Sequence, residues 1–279
     1  MSSSQVCNAA IIRVNDKGAG ENADFLAVEE PLEIRLLFGP VDSRRTEAIS
    51  VTMRTPGQDE ELSAGFLFTE NILSNVGDIS DFLSFSCREE KSNTITIVLH
   101  ETVNPDLERL KRNFYTTSSC GVCGKSSIEA VKTVINRHAE PDDLRLPASY
   151  FHQLPQLLRA QQQTFEHTGG LHASALFDTD ANLLALREDV GRHNALDKLI
   201  GRFFLDGKTP LSHHVLLLSG RASFELIQKA AVAGIKIVAA VGAPSSLAVS
   251  LAEDCGITLM GFLRDRRFNI YSGRDRVIV

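Results

Sequence analysis

Two different rhythms of apolar and polar positions divide the chain. Residues 1–110 mostly alternate apolar and polar side chains and are rich in β-branched residues, a pattern that predicts strands. "LEIRLLFG", "AISVTMRT" and "NTITIVLH" carry it most clearly. One amphipathic helix interrupts them, predicted from about Asp59 to Leu73 behind the Pro56–Gly57 break, with Leu62, Phe66 and Leu73 near one face. Residues 101–148 are less regular. A helix is predicted to start near Lys125, in "KSSIEAVKTVINRH", and to end before Pro141. "ASYFHQLPQLLRAQQQTFEHTGG" predicts another, ending at Gly169–Gly170.

From Leu171 onward short apolar runs alternate with helical periodicity. "LHASALF" and "NLLALRE" read as paired strands and "HNALDKLIGRFF" as a helix. Then "HVLLLSG" leads to the helix "ASFELIQKAAVAG", "IKIVAAVG" to the helix "SSLAVSLAEDCG", and "ITLMGFLR" closes the series as a strand. Such alternation predicts a parallel α/β core whose crossover helices cover the sheet through right-handed connections. The expected fold class is therefore α/β, with a mixed sheet and a strand-rich N-terminal portion.

Composition narrows the function. The 279 residues are 43% hydrophobic and 23% charged, the profile of an ordinary soluble globular protein. A net charge of −6 argues against general nucleic-acid binding through a basic surface. The longest apolar run, "AAVAGIKIVAAVGA", is interrupted by Lys236 and glycines, so no membrane span is expected. "MSSSQVCNAA" lacks the basic and apolar segments of a secretory signal. Five cysteines, of which Cys7, Cys87 and Cys255 are isolated, suit a reducing cytoplasm better than a disulfide framework.

The remaining two cysteines stand three apart in "TTSSCGVCGKSS", residues Thr116 to Ser127. Structural zinc usually needs four ligands, and the chain has no second C-x-x-C, although a dimer could pool two pairs. Deaminase zinc needs H-x-E followed by P-C-x-x-C; His172 is present, but Ser174 stands where the glutamate belongs and Ser119 replaces the proline. Dithiol exchange calls for a thioredoxin-like βαβ setting, whereas the region upstream is strand-rich. A P-loop fails at Ser119, which occupies the first glycine position. Sulfur transfer needs a mobile, nucleophilic thiolate. Gly121 and Gly124 supply mobility, and a helix starting near Lys125 would aim its positive end at the sulfurs and lower a thiol pKa.

A second cluster lies in the C-terminal half. "LSGRASF", "VGAPSSL" and the strand end "GFLRDRRF" open on one side of a parallel sheet, where α/β proteins bind ligands. Helices starting near Ser223 and Ser245 would offer amides to phosphate, and Arg221, Arg264, Arg266 and Arg267 could add bidentate contacts. Serine capping of the helices accounts for single serines but less well for all three turns. "REDVGRHNALDK" crowds Glu188, Asp189, Arg192, His193, Asn194, Asp197 and Lys198 into one strand-to-helix passage. Asp197 and Lys198 read as a solvated helix start; Asp189, Gly191, Arg192, His193 and Asn194 read as a site. His167 and His172, flanking "TGGL", could line the same cleft.

"SSCGVCGK", "HTGGLHASALF", "EDVGRHNALDK", "LSGRASFELIQKAA" and "FLRDRRFNIYSG" together resemble the formate dehydrogenase accessory sulfurtransferase family (FdhD), over nearly the whole chain and in the right order. The resemblance implies a cytidine-deaminase-like α/β fold and a sulfurtransferase that acts as a sulfur carrier through a cysteine persulfide. Sulfur would come from a cysteine desulfurase and go to the bis-molybdopterin guanine dinucleotide molybdenum cofactor, as formate dehydrogenase activity requires. The family's persulfide cysteine falls on Cys120, with Cys123 assisting. Its cofactor-binding stretch falls on Phe262, Leu263, Arg264, Asp265, Arg266 and Arg267. Gly220, Arg221, Gly191, Arg192, His193, Asn194 and His172 join that site by our own reading of the cleft. Guanine nucleotides would bind as cofactor fragments, no resident metal is expected, and the expected assembly is a cytoplasmic homodimer. Three segments follow: a strand-rich portion over 1–110, a flexible cysteine loop with its helix over 111–148, and a cofactor-binding core over 149–279. Two other classes stay open, a cofactor chaperone without catalysis and a zinc-dependent deaminase-like hydrolase.

Overall fold

The computed structural model describes residues 5–84, 93–106 and 143–279. The chain opens with β1 (Val6–Asn15) and β2 (Gly18–Ala27), an antiparallel ribbon that the sequence pattern does not single out. Most of its side chains on both faces are exposed, so no face imposes a clean alternation. Next come β3 (Glu30–Phe38), β4 (Arg45–Arg54), α1 (Asp59–Thr69), β5 (Ile79–Ser84) and β6 (Thr94–Leu99). These strands form a mixed four-stranded sheet in the order β4-β3-β6-β5. Leu32, Ile34, Leu36 and Phe38 of β3 are buried while the residues between them are less so, the period of two that "LEIRLLFG" predicts.

α1 stops at Thr69, short of the expected Leu73. Asn71 turns left-handed at φ 59°, a conformation asparagine tolerates, and the amides of Ile72 and Leu73 fold back onto the Leu67 carbonyl. Leu73 is still buried, but from the turn and not from the helix.

The second half contains β7 (Leu146–Pro147), α2 (Ala148–Gln161) and α3 (Gln163–Thr168). The single helix expected over this stretch is thus two, because Gln162 leaves helical geometry at ψ 69°. Gly169, left-handed at φ 64°, ends α3 where the glycine pair predicts a stop. There follow β8 (His172–Phe177), β9 (Leu183–Asp189), α4 (Arg192–Leu205), β10 (Val215–Leu218), α5 (Phe224–Val232), β11 (Ile237–Ala240), α6 (Ser246–Asp254), β12 (Thr258–Arg264), β13 (Arg267–Ser272) and β14 (Val277–Ile278). The larger sheet runs β13-β12-β11-β10-β8-β9. Its centre, β10 to β12, is parallel, and antiparallel partners flank it on both sides. The edge strand β13 was not anticipated, since most of its residues stay at least partly exposed. The fold is mixed α/β with several sheets.

Each central strand is apolar on both faces, as a covered parallel sheet requires. Val215, Leu217, Ile237, Ala239 and Met260 pack with Tyr150, Phe151, Leu154 and Leu158 of α2. Leu216, Leu218, Val238, Ala240 and Leu259 belong to the opposite core, shared with α4, α5, α6, α1 and the inner face of the smaller sheet. One buried cluster therefore draws on both halves of the chain.

Within that cluster α1 and α4 touch backbone to backbone. A Cβ on Gly65 would lie 1.9 Å from the Asp197 carbonyl oxygen, and one on Gly201 would lie 1.8 Å from that of Glu61. Neither obstacle is a flexible side-chain tip, so the helices would have to separate. Gly201→Ala should therefore destabilise the protein by about 1–3 kcal/mol or more, seen as a lower urea midpoint. Gly20→Ala, with no atom within 4 Å of its new methyl, should leave the midpoint in place. Equal midpoints for the two variants would refute the tight crossing.

Candidate functional site

β9 and β10 both run antiparallel to β8, so the carboxyl ends of β9, β10, β11 and β12 share one edge with the amino end of β8. That edge gathers His172, the segment Asp189–His193, and the turns after β10, β11 and β12. The turns are stacked. Gly242 N donates to Gly220 O at 2.9 Å, Ala222 N to Ala243 O at 3.2 Å, Ser245 N to Ala222 O at 3.0 Å, and Phe262 N to Gly242 O at 3.1 Å. Sheet-like bonding thus continues past the strand ends and fixes the rim. The stacking needs small residues: a Cβ on Gly242 would lie 2.9 Å from Gly220 O, and one on Gly220 would lie 3.2 Å from His172 Nδ1. The sequence flags Gly220 but not Gly242, although a glycine closing a strand in "VGAP" was the available signal.

The densest polar motif serves the fold and the rim together. Lys198 is fully buried, with Nζ 2.7 Å from Asp189 Oδ2 and 2.8 Å from the Thr55 carbonyl. Asp189 also accepts from the amides of Thr55 (3.1 Å) and Gly191 (2.8 Å). Asn194 is buried; its amide donates to Met53 O at 2.7 Å and its carbonyl accepts from Thr52 Oγ1 at 3.1 Å. These bonds latch the end of β4 onto the β9–α4 turn. Asn194 and Gly191 accordingly shape the turn from within.

Asp197 and Lys198 are not a solvated helix start. Both are buried, because α1 lies directly over this turn of α4. Asp197 takes 2.9 Å bonds from Thr69 Oγ1 and Lys229 Nζ, and Lys229 also reaches Glu70. Burial pushes the Asp197 carboxyl up to about 6 against the pull of Lys229. Burial likewise opposes the charge of Lys229, but Asp197 and Glu70 outweigh it and raise its pKa. Lys229 and Thr69 escaped the sequence reading because their pairing spans 160 residues.

Arg192 and His193 open α4 at the rim, and Arg221 stands exposed in the turn after β10. Burial, then Arg192 and Arg221, hold the His172 pKa below its ordinary value. His193 falls to about 4 through burial, Arg192 and Lys229, with Glu225 pulling the other way. Its Nε2 lies 3.4 Å from Ser223 Oγ and 3.8 Å from Glu225 Oε2. Both rings are therefore neutral near pH 7.

The expected helix-end amides are partly engaged. Ser245 is a true cap, its hydroxyl accepting from Ala248 N at 3.2 Å. Ser223 makes no cap bond; its hydroxyl serves Glu225. Glu225, missed by the sequence reading, sits in the first turn of α5. Burial opposes its charge, but its own amide, the Ser223 hydroxyl, His193 and Arg192 hold its pKa below the ordinary value.

"FLRDRRF" is a hairpin tip. Arg264 faces Arg267 across a two-residue turn in which Asp265 and Arg266 both have positive φ. Arg264, Asp265, Arg266 and Arg267 are exposed, whereas Leu263 is fully buried beneath α2. Phe262 is left-handed at φ 56° and 37% exposed, an outlier for a bulky aromatic. Cys120, Cys123 and the helix expected near Lys125 lie outside the described residues, as does the side chain of His167.

Titration of the two rim histidines should show the asymmetry directly. By NMR, His193 should lose its proton near pH 4, and Arg221→Ala should raise the midpoint of His172 more than that of His193. Because the folded value lies below the unfolded 6.5, the unfolded chain binds more protons between about 4 and 6.5. The His193 contribution is thus complete above that window and lost as pH falls through it. Asp197 acts oppositely below about 6, so the stability–pH slope of His193→Gln should be compared with that of the wild type. A His193 midpoint at its ordinary value would refute this account.

A sequence model described as the FdhD/NarQ family matches residues 27–278. A Streptomyces coelicolor protein named sulfur carrier protein FdhD is 48% identical over 273 residues, covering 96% of this chain and 94% of that protein. One of the same name from Saccharolobus solfataricus is 39% identical over 267 residues, covering 96% of each. In three dimensions the chain is similar to a crystal structure described as a formate dehydrogenase accessory protein from Desulfotalea psychrophila, with a TM-score of 0.74 at 23% identity, covering 98% of this chain and all of that one. On the extent and identity of these matches, the chain belongs to the FdhD/NarQ family.

Proposed function

We propose that the chain is a sulfur carrier that accepts sulfur as a persulfide on Cys120 and delivers it to the molybdenum cofactor that formate dehydrogenase uses. The observation that carries this reading is the near full-length match to relatives named sulfur carrier proteins, in a chain that holds the Cys120–Cys123 pair. The Cys120 thiolate attacks the outer sulfur of a cysteine desulfurase persulfide. The donor's S–S bond breaks, the donor leaves as a thiolate, and Cys120 keeps the outer sulfur. In delivery, the Cys123 thiolate attacks Cys120 Sγ. The terminal sulfur leaves with the bonding pair as sulfide, and a Cys120–Cys123 disulfide forms. The sulfur is reduced by two electrons and the two thiols supply them.

The acceptor is the bis-molybdopterin guanine dinucleotide cofactor, bound as substrate at the rim. Arg192 and Arg221 meet its phosphates there, with the hairpin arginines Arg264, Arg266 and Arg267 beyond them. Neutral His172 and His193 exchange hydrogen bonds without adding charge. The antiparallel β8–β9 pair beside three parallel strands supports reading the core as cytidine-deaminase-like. The isolated cysteines, and the lack among described residues of any helix long and apolar enough to cross a membrane, are consistent with a cytoplasmic carrier.

After incubation with a cysteine desulfurase and cysteine, the intact protein should gain the mass of sulfur, and Cys120→Ala should not. Cys123→Ala should still be loaded yet activate formate dehydrogenase poorly. Full activation by Cys120→Ala would overturn the carrier assignment. At the rim, Arg221→Ala and Arg264→Ala should each weaken GDP binding by about 1.5–3 kcal/mol where one charged hydrogen bond is lost. Calorimetry showing unchanged affinity in both variants would place the phosphates elsewhere.

A further inference from the structure

Glu225 is out of keeping with its surroundings. The rim carries Arg192 and Arg221 and holds two histidines neutral, yet an ionised carboxylate stands among them, 30% exposed, in the first turn of α5. Among the described residues, the only basic side chain within ion-pair distance of it is His193, at 3.8 Å. A carboxylate there weakens the attraction of the rim for phosphate, roughly in proportion to its nearness. Helix capping gives a partial account, since Glu225 accepts from its own amide and from Ser223. The cap position is already held by Ser223, which makes no cap bond, and capping does not require a long carboxylate set against the histidine.

The ligand chemistry that suits a carboxylate is a pair of adjacent N–H donors, because its two oxygens accept side by side. We propose that Glu225 reads the donor edge of a 2-amino-4-oxo heterocycle, the ring N–H and exocyclic amino group that guanine and pterin share. This rests on the reading of the rim as the cofactor site. It gives the rim a division of labour, in which Arg192 and Arg221 hold phosphate while Glu225 selects the ring. A site built to hydrogen-bond a group rejects the analogue that lacks it, because its own polar atoms are then left unpaired. Adenine and hypoxanthine lack the exocyclic amino group beside a ring N–H, so neither satisfies both oxygens.

The test is calorimetric titration of wild type and Glu225→Ala with GDP, IDP, pterin and lumazine, with thermal unfolding of both proteins to confirm the fold. IDP and lumazine lack the exocyclic amino group. Wild type should prefer GDP to IDP by about tenfold or more, the loss of one charged hydrogen bond. Glu225→Ala should bring that ratio close to one. A pterin-over-lumazine preference abolished in the same way, with the GDP-to-IDP ratio unmoved, assigns the carboxylate to the pterin ring. Both ratios unchanged in Glu225→Ala would overturn the inference while leaving the rim as a nucleotide site. No binding of any of the four to wild type would overturn the cofactor site itself and this inference with it.

Discussion

The contact between Gly65 and Gly201 governs the arrangement of the molecule. With no side chain between them, α1 and α4 approach until one backbone meets the other. The smaller sheet rides on α1, and the rim begins at the first turn of α4, so their spacing is inherited from this crossing. Interiors packed at crystal-like density transmit such a displacement instead of absorbing it. A wider crossing would draw Thr52, Met53 and Thr55 away from Asn194, Asp189 and Lys198, the bonds that hold the β9–α4 turn in shape.

That latch shows how a polar motif can be dense for two reasons at once. Asp189 and Lys198 are wholly buried and mutually satisfied, and their value lies less in net stability than in fixing one register between β4 and α4. Arg192 and His193, adjacent in sequence, face the rim and stay partly accessible. Helical geometry separates the two uses. Positions four apart point to one side, so Asn194 and Lys198 turn inward together. The rim-facing residues are held by a buried network that lies behind them.

Electrostatics at the rim follow the same logic. Burial and the guanidinium of Arg192 hold His172 and His193 below their ordinary pKa, and Arg221 adds to the effect on His172. The two rim histidines therefore add no positive charge near neutral pH. Glu225 stands out against that background as a partly exposed carboxylate, whereas Asp189 is buried against Lys198.

Much of this was legible in the chain. Alternation and β-branched content in the sequence identified β3, β4 and β6, although only β3 is buried with a clean period of two, and continuous apolar runs between helical stretches identified β10, β11 and β12. The Gly169–Gly170 stop and the rim placement of His172, Arg192, His193, Gly220 and Arg221 were equally readable, since turns at strand ends demand particular residues. The exposed ribbon β1–β2 and the edge strand β13 were not, because strands with little burial carry little pattern. The Asn71 stop and the break at Gln162 were decided by backbone geometry that propensity only weakly constrains. Above all, the sequence could not say whether Asp197 and Lys198 faced water. A charged residue at a helix start is solvated unless another helix is laid over it, and the partner that covers it, around Gly65, lies more than a hundred residues away.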